Sequence, residues 1–411
     1  KNAPQLHFLA IDLAGIMAEV VEGAVDRLTL PTQTRAPETS PHLVRVARRA
    51  MAALFEVYFS AERYPHGPEK ALDALEVLEP LEASLSLFRA DSQLNQLNSN
   101  AAYEPVRPDQ EVFELIRLGL RIWREPAGAF DLTATPLWEL WGFSRRAACV
   151  PSAEQIQSVL RHVGSQWVEL DCQAQTVRFL REGIRLSFAS LGKGYALDRC
   201  AERLLASGVA DFLMHGGYSS VIARGAIAGH GGDWPAAAAK QSATAERHDD
   251  VDVSPEAPGA PSVHAPEMPY FQSAGRAGEF GSGTGGWIVG VKHPLRAGRR
   301  LAEIRLCDSA LSTSGSGAQS LVYRGRRYGH IIDPRTGWPA QGVLSATVVA
   351  PTAVLAEALS TAFFVLGLEQ SAQYCAEHRD IGAVLVCPAR RPGGVAIHVL
   401  GLRDEQVRLL V

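Results

Sequence analysis

The sequence predicts an α+β fold, and three observations carry that reading. Short β-rich runs recur in pairs: Trp167-Val168-Glu169-Leu170 with Val177-Arg178-Phe179-Leu180, the two halves of residues 211–223 around Gly216-Gly217, and residues 382–386 with 395–399. Between these pairs lie segments with apolar residues at helical spacing, at about 68–84, 109–124, onward from Gly192, and 354–366. Finally, β-α-β alternation is too sparse for a doubly wound parallel sheet, so antiparallel hairpins interleaved with helices are expected. At 411 residues, 46% of them hydrophobic, the chain has ample material for a large core in one two-lobed body or several domains.

The net charge of −4 argues against a basic nucleic-acid surface or one that seeks anionic lipid. The six cysteines are scattered without a C-x-x-C pair, so no disulfide framework is expected. Residues 1–42 read as an accessory element: an amphipathic helix from about Leu6 to Arg27, then a Pro/Thr/Ser linker. Asp12 interrupts its apolar run, and Glu19 and Glu22 follow, which counts against a signal peptide or membrane span. No lipidation signal is read either, and compartment and oligomeric state stay unassigned, with the helix a candidate subunit contact.

From Val44 the pattern becomes strand-like through Ala52–Phe59. Met51 before it is either core filler or a site residue. The helix at 68–84 leads to Phe88, whose planar ring offers either core packing or a stacking surface. After the helix at 109–124 comes Gly128-Ala129-Phe130-Asp131-Leu132-Thr133-Ala134-Thr135-Pro136, in which Asp131 is a local cap or a site ligand. The run Arg185–Leu191 then meets Gly192-Lys193-Gly194-Tyr195 at a helix start, where unpaired N–H groups attract phosphate. The Walker A spacing is absent. Asp198 reads as a helix-face or capping residue, and His215 as a satisfied core histidine.

Residues 226–286 are rich in Gly, Ala, Pro, Ser and charge, and read as a low-complexity, largely disordered insertion. Its last glycines satisfy G-x-G-x-x-G, but they precede the strand at Trp287–Val291, which is the wrong order for a dinucleotide fold. Beyond it stand Ser312-Thr313-Ser314-Gly315 and the block His330-Ile331-Ile332-Asp333-Pro334-Arg335-Thr336-Gly337-Trp338-Pro339. In that block Pro334 and Gly337 turn the chain sharply and hold His330 and Asp333 at a rigid corner. In the last helix Glu357 and Thr361 stand four residues apart on one face, with Ser360 beside them. A carboxylate and hydroxyls suit a hard cation such as Mg²⁺; the bland alternative is a solvated Glu with a helix-bonded Thr.

The order and spacing of these blocks resemble the ApbE family, the magnesium-dependent FAD:protein FMN transferases, over roughly residues 44–225 and 287–400. The resemblance implies a T-fold-like pair of lobes with the nucleotide between them, formed by one domain at 43–411 that the insertion interrupts. It implies FAD contacts at Met51, Phe88, Ala129, Phe130, Asp131, Ala189, Tyr195 and Ile331. It also implies a Mg²⁺ site from the Gly192 carbonyl with Glu357, Ser360 and Thr361. His330 is the candidate proton acceptor, and Asp333 orients it or the turn. The partner implied is an acceptor protein, a redox membrane protein modified on a Ser or Thr. The chain departs from the family pattern at Ser187, Tyr218 and Glu357, where Asp is usual, and at Ala189-Ser190, where Gly-Gly is usual. The Glu357 carboxylate is displaced by one carbon–carbon bond, about 1.5 Å. FAD hydrolysis at the same site, or flavin binding without catalysis, are the competing readings.

Replacing residues 226–286 with a short Gly/Ser link is expected to leave the melting temperature nearly unchanged, since the segment lacks the apolar periodicity to offset its ordering entropy. A large fall on thermal denaturation would show that it is structured.

Overall fold

The computed structural model describes residues 43–145, 149–226, 285–315, 320–390 and 393–410. The expected N-terminal helix and linker, and nearly all of the insertion, lie outside these residues. Strands β1 (Leu43–Ala50) and β2 (Ala53–Ser60) open the fold as a hairpin. Helices α1 (Gly67–Leu75), α2 (Leu78–Leu85), α3 (Gln93–Asn100), α4 (Gln110–Arg124), α5 (Thr135–Leu140) and α6 (Ala153–Leu160) follow, then the small hairpin β3 (Val168–Asp171) and β4 (Thr176–Phe179). Next come α7 (Gly192–Ala206) and the hairpin β5 (Phe212–Gly216) and β6 (Ser220–Arg224). Past the insertion lie β7 (Trp287–Lys292), β8 (Arg300–Leu306), β9 (Ser309–Gly315) and the small hairpin β10 (Ser320–Tyr323) and β11 (Arg326–Gly329). The chain closes with β12 (Ser345–Ala350), α8 (Ala353–Leu366), α9 (Leu368–Glu377), β13 (Gly382–Pro388), β14 (Val395–Leu400) and β15 (Val407–Leu409).

The main sheet runs β1-β2-β5-β6-β9-β12-β13-β14, every pair antiparallel. This order repeats one plan twice. Strands β1-β2, helix α7 and strands β5-β6 form the first unit; β9-β12, helix α8 with α9, and β13-β14 form the second, and the β6–β9 pairing joins them. The period of two along each strand sorts side chains to two faces. Phe55, Val57, Phe59, Phe212, Met214 and Ile222 pack toward the helices, while Val221, Ala223, Leu311, Val349 and Val384 pack on a second cluster covered by the β15-β8-β7 sheet. His215 is buried in the sheet as expected but only half satisfied: its Nε2 lies 2.7 Å from Glu56 Oε2, while its buried Nδ1 has no hydrogen-bond partner. At the mouth of the insertion Trp287 Nε1 donates to the Arg224 carbonyl at 3.1 Å, so the strands on either side of it touch. All six cysteines are free, and no helix among the described residues is long and apolar enough to cross a membrane.

The α+β antiparallel reading stands, with one helix corrected. The expected helix at 68–84 is broken into α1 and α2. A continuous helix would set the Pro80 ring against the Glu76 carbonyl, whereas restarting at Leu78 leaves Pro80 in a first turn, where its missing N–H costs nothing. Four short helices, α3, α5, α6 and α9, escaped the periodicity because each is too short to display it over several turns. In α3 the Asn95 N–H donates to the Ser92 hydroxyl, and α6 carries a capping box between Ser152 and Gln155.

Helices α7 and α8 meet at their first turns, and each caps the other. Asp198 of α7 accepts the Ala353 and Val354 N–H groups of α8 at 2.8 and 2.9 Å. Reciprocally, Glu357 of α8 accepts the Gly194 N–H of α7 at 2.6 Å. Donor and carboxylate are four residues apart in both helices, the spacing that puts them on one face. Burial raises the Asp198 carboxyl to about 7, against the two backbone N–H donors that pull it down. A carboxyl whose folded value lies above its ordinary 3.8 costs stability as pH rises through that interval, because the folded chain then holds the proton more tightly. Wild type should therefore lose more melting temperature between about pH 4 and about pH 8 than Asp198→Asn, which no longer ionises. Equal losses in the two proteins would refute that account of Asp198.

Candidate active site

The G-K-G sequence at residues 192–194 lets α7 approach α8 at backbone contact. A Cβ on Gly194 would lie 2.3 Å from the Ala353 carbonyl oxygen and 2.7 Å from Val354 Cα. Because those atoms are backbone, no rotamer change relieves the clash. The approach brings the buried Glu357 carboxylate to the first turn of α7, where Oε2 takes the Gly194 N–H and Oε1 pairs with the Lys193 ammonium.

Below Glu357 on the same helix face lie Ser360 and Thr361. Both hydroxyls donate to the Glu357 carbonyl, at 2.9 and 3.4 Å, and Ser314 Oγ of β9 sits 2.9 Å from Ser360 Oγ and 3.2 Å from Thr361 Oγ1. The predicted ligand set, Gly192, Glu357, Ser360 and Thr361, thus meets the Thr-Ser-Gly block through the Ser360 and Thr361 hydroxyls, which face Ser314. Its donors are all hard oxygens, the chemistry Mg²⁺ takes, and Glu357 already holds a cation at Oε1, so the residues fit the ion. Among the described residues no group of three or more His, Cys, Asp or Glu stands close enough to hold a metal. A cation here would combine one carboxylate with neutral oxygens, leaving room for substrate phosphate oxygens.

Met51 reaches this place from the first hairpin. It and Ala52 form the turn with positive φ at both residues, 51° and 56°, a left-handed geometry that non-glycine residues adopt at a cost. A Cβ on Gly192 would lie 3.4 Å from Met51 Cε, so the thioether packs against the start of α7. Ala189 donates its N–H to Ser187 Oγ at 3.3 Å, and Ser187 N–H donates to the Leu132 carbonyl at 2.9 Å, tying this segment to the Ala129–Thr133 stretch. Tyr195 is buried, its hydroxyl donating to Glu111 of α4 at 3.3 Å.

Ala129 and Phe130 are buried, and Phe130 belongs to the main core. Asp131 accepts the Thr133 N–H and hydroxyl at 2.8 and 2.7 Å and the Ser165 N–H and hydroxyl at 3.0 and 2.7 Å. Its carboxylate therefore staples two loops together. Phe88, by contrast, is 92% exposed, which removes the core alternative for its ring.

The turn at 330–339 forms as its prolines and glycine require. Asp333 accepts from the Arg335 backbone and guanidinium, all at 2.9 Å, so it orients the turn. Gly337, at φ 75°, has no room for a side chain: a Cβ would lie 2.4 Å from Ile156 Cγ2. Its carbonyl accepts the buried Trp141 Nε1–H at 2.9 Å, docking the turn on α5 and α6. Ile331 enters the main core, and the His330 ring lies edge-on to Phe143 at 6.5 Å. An open cavity of about 560 Å³ joins the two motif blocks, lined by Trp123, Arg124, Gly128, Asp131, Pro334 and Arg335 among others. Its two guanidiniums suit an anionic group. Lys193, Ser314 and Trp141 stand inside or beside the sequence motifs, yet only their spatial partners disclose what they do.

A model of the ApbE family matches residues 51–255 and 273–385. The FAD:protein FMN transferase of Haemophilus influenzae is 23% identical over 380 residues, covering 90% of this chain and 93% of its own length. That of Treponema pallidum is 27% identical over 322 residues, covering 77% and 76%. Among solved structures, the ApbE protein of Thermotoga maritima superposes with a TM-score of 0.66 at 25% identity, covering 87% of this chain and 97% of its own. The flavin transferase ApbE of Vibrio cholerae gives 0.65 at 19% identity, covering 88% and 98%.

Substituting Gly194 by Ala is expected to cost about 1–3 kcal/mol, since the added methyl must push the two helix backbones apart. Urea unfolding measures it, and an unchanged midpoint would mean that the close approach of α7 to α8 is dispensable.

Proposed function

The chain belongs to the ApbE family, and we propose from that membership and the site geometry that it transfers the FMN moiety of FAD to an acceptor protein. The observation that supports this most is that α8 carries, within about one turn, the buried Glu357 carboxylate against the first turn of α7 and the Ser360 and Thr361 hydroxyls against Ser314. The start of α7 supplies a positive dipole end for a diphosphate, its Gly192 and Gly194 N–H groups being spent on Phe188 and Glu357, and the oxygen cluster supplies a seat for a divalent cation. Bound there by Glu357, Ser360, Thr361 and the Gly192 carbonyl, Mg²⁺ would neutralise charge on the pyrophosphate.

In this reading a Ser or Thr hydroxyl of the acceptor attacks the phosphorus on the FMN side of FAD. A new oxygen–phosphorus bond forms, the pyrophosphate bond breaks, and AMP leaves with the bridging oxygen. His330 takes the hydroxyl proton at a ring nitrogen, imidazole being the side chain suited to accept and release a proton near neutral pH. The Asp333–Arg335 pairing and the Trp141–Gly337 bond fix the turn that carries it. Met51, Ala189, Tyr195 and Ile331 shape the nucleotide side, and the exposed ring of Phe88 offers a stacking surface for the flavin.

The acceptor comes from another chain. This protein's own Asp131-Leu132-Thr133-Ala134-Thr135 places threonine hydroxyls in a motif block of the site, but Thr133 is fully buried and its hydroxyl lies between Asp131 and the Gly164 N–H. It has no in-line path to a phosphorus.

Incubation with FAD and Mg²⁺, with and without an acceptor peptide, separates transfer from hydrolysis: flavinylated peptide is expected, whereas free FMN alone would identify a hydrolase and neither product a binding protein. In the same assay Glu357→Gln should lower transfer by more than about a hundredfold while weakening FAD binding less, and Glu357→Asp should remain active. Equal rates in wild type and Glu357→Gln would remove the cation from α8.

A further inference from the structure

The reciprocal caps of α7 and α8 present four carboxylate oxygens, and three of them are spent on backbone. Asp198 Oδ1 and Oδ2 take the Ala353 and Val354 N–H groups, and Glu357 Oε2 takes Gly194 N–H. The fourth, Glu357 Oε1, faces the Lys193 ammonium. These partners differ in kind. A backbone amide of a packed helix cannot leave, whereas an ammonium on a four-carbon stem reaches water by rotating its own torsions. The Lys193 side chain is 25% exposed, against 7% for Glu357, so its path to solvent is open while the carboxylate stays inside. Within one pseudo-symmetric pair, Asp198 is thus a fixed cap and Glu357 a cap with one exchangeable cation.

We propose that Lys193 is the counter-cation of Glu357 Oε1 in the metal-free site and gives way to the divalent cation, its ammonium turning outward as the ion arrives. The proposal rests on the assignment of that ion to Glu357. A carboxylate this buried needs a positive partner throughout, and exchange means that it is never left unpaired. The lysine therefore stabilises the empty site and competes with the ion for one oxygen.

Calorimetric titration of Mg²⁺ into the full chain without FAD, paired with melting temperatures, tests the exchange and reads binding instead of turnover. Lys193→Met removes the competitor: it should melt lower than wild type without Mg²⁺, bind Mg²⁺ on the order of tenfold more tightly, and gain more melting temperature from it. Lys193→Gln, which keeps an N–H donor for Oε1, guards against misfolding of the apolar variant and should tighten binding in the same direction. Lys193→Arg keeps the positive charge and should bind no more tightly than wild type. If neither neutral variant binds more tightly than wild type, while wild type loses binding in Glu357→Gln, the exchange is wrong and the metal assignment stands. If wild type and Glu357→Gln titrate alike, both are wrong.

Discussion

The structure depends on two helix N-termini brought within backbone contact and satisfied by each other's carboxylates. A buried helix start leaves N–H groups that must find acceptors, and here α7 and α8 supply them reciprocally through Asp198 and Glu357. Only a residue without a Cβ permits the approach at Gly194. The duplicated strand plan brings the two helices together on one face of the sheet. The candidate site therefore lies where the two halves of the fold meet, and the carboxylate proposed to hold the cation is also one of the two helix caps.

Much of this was legible in the sequence because the informative residues are those with narrow physical options. Pro334 and Gly337 announced a turn, and the turn forms with Asp333 holding Arg335. The i, i+4 spacing of Glu357 and Thr361 put both on one helix face with Ser360 beside them, and the structure adds Ser314, which faces the Ser360 and Thr361 hydroxyls. What was not legible depends on pairs distant in sequence. Nothing local says that Asp198 caps a helix 155 positions away, or that Lys193 faces a glutamate 164 positions away. The break between α1 and α2 was readable from Pro80, but continuous leucine spacing masked it. Asp131 offered two readings, and its four hydrogen bonds to Thr133 and Ser165 show the side chain acting as a loop staple.

That division of labour recurs around the site. Asp131, Asp333 and Asp198 all spend their carboxylates on nearby chain, fixing loops and helix starts, and Trp141 spends its indole N–H on the Gly337 carbonyl. Fewer polar groups are then left for the proposed chemistry, and the loops and helix starts that carry them are fixed. A constellation supported in this way loses little entropy when substrate arrives, so more of the binding energy is available for reaction.

The contact between Trp287 and the Arg224 carbonyl bears on how such a chain tolerates change. These residues stand 63 positions apart in sequence, yet they meet in the folded body. Once the two ends of a loop are pinned by the body, its length enters the free energy only logarithmically, and each doubling costs about 0.6 kcal/mol. On the expectation that residues 226–286 are an insertion, the place where Trp287 meets Arg224 is a port at which length is nearly neutral. Variation there, including the addition of a binding segment or a whole domain, is insulated from the α7–α8 junction, because the strands at the port are already closed by their own hydrogen bond.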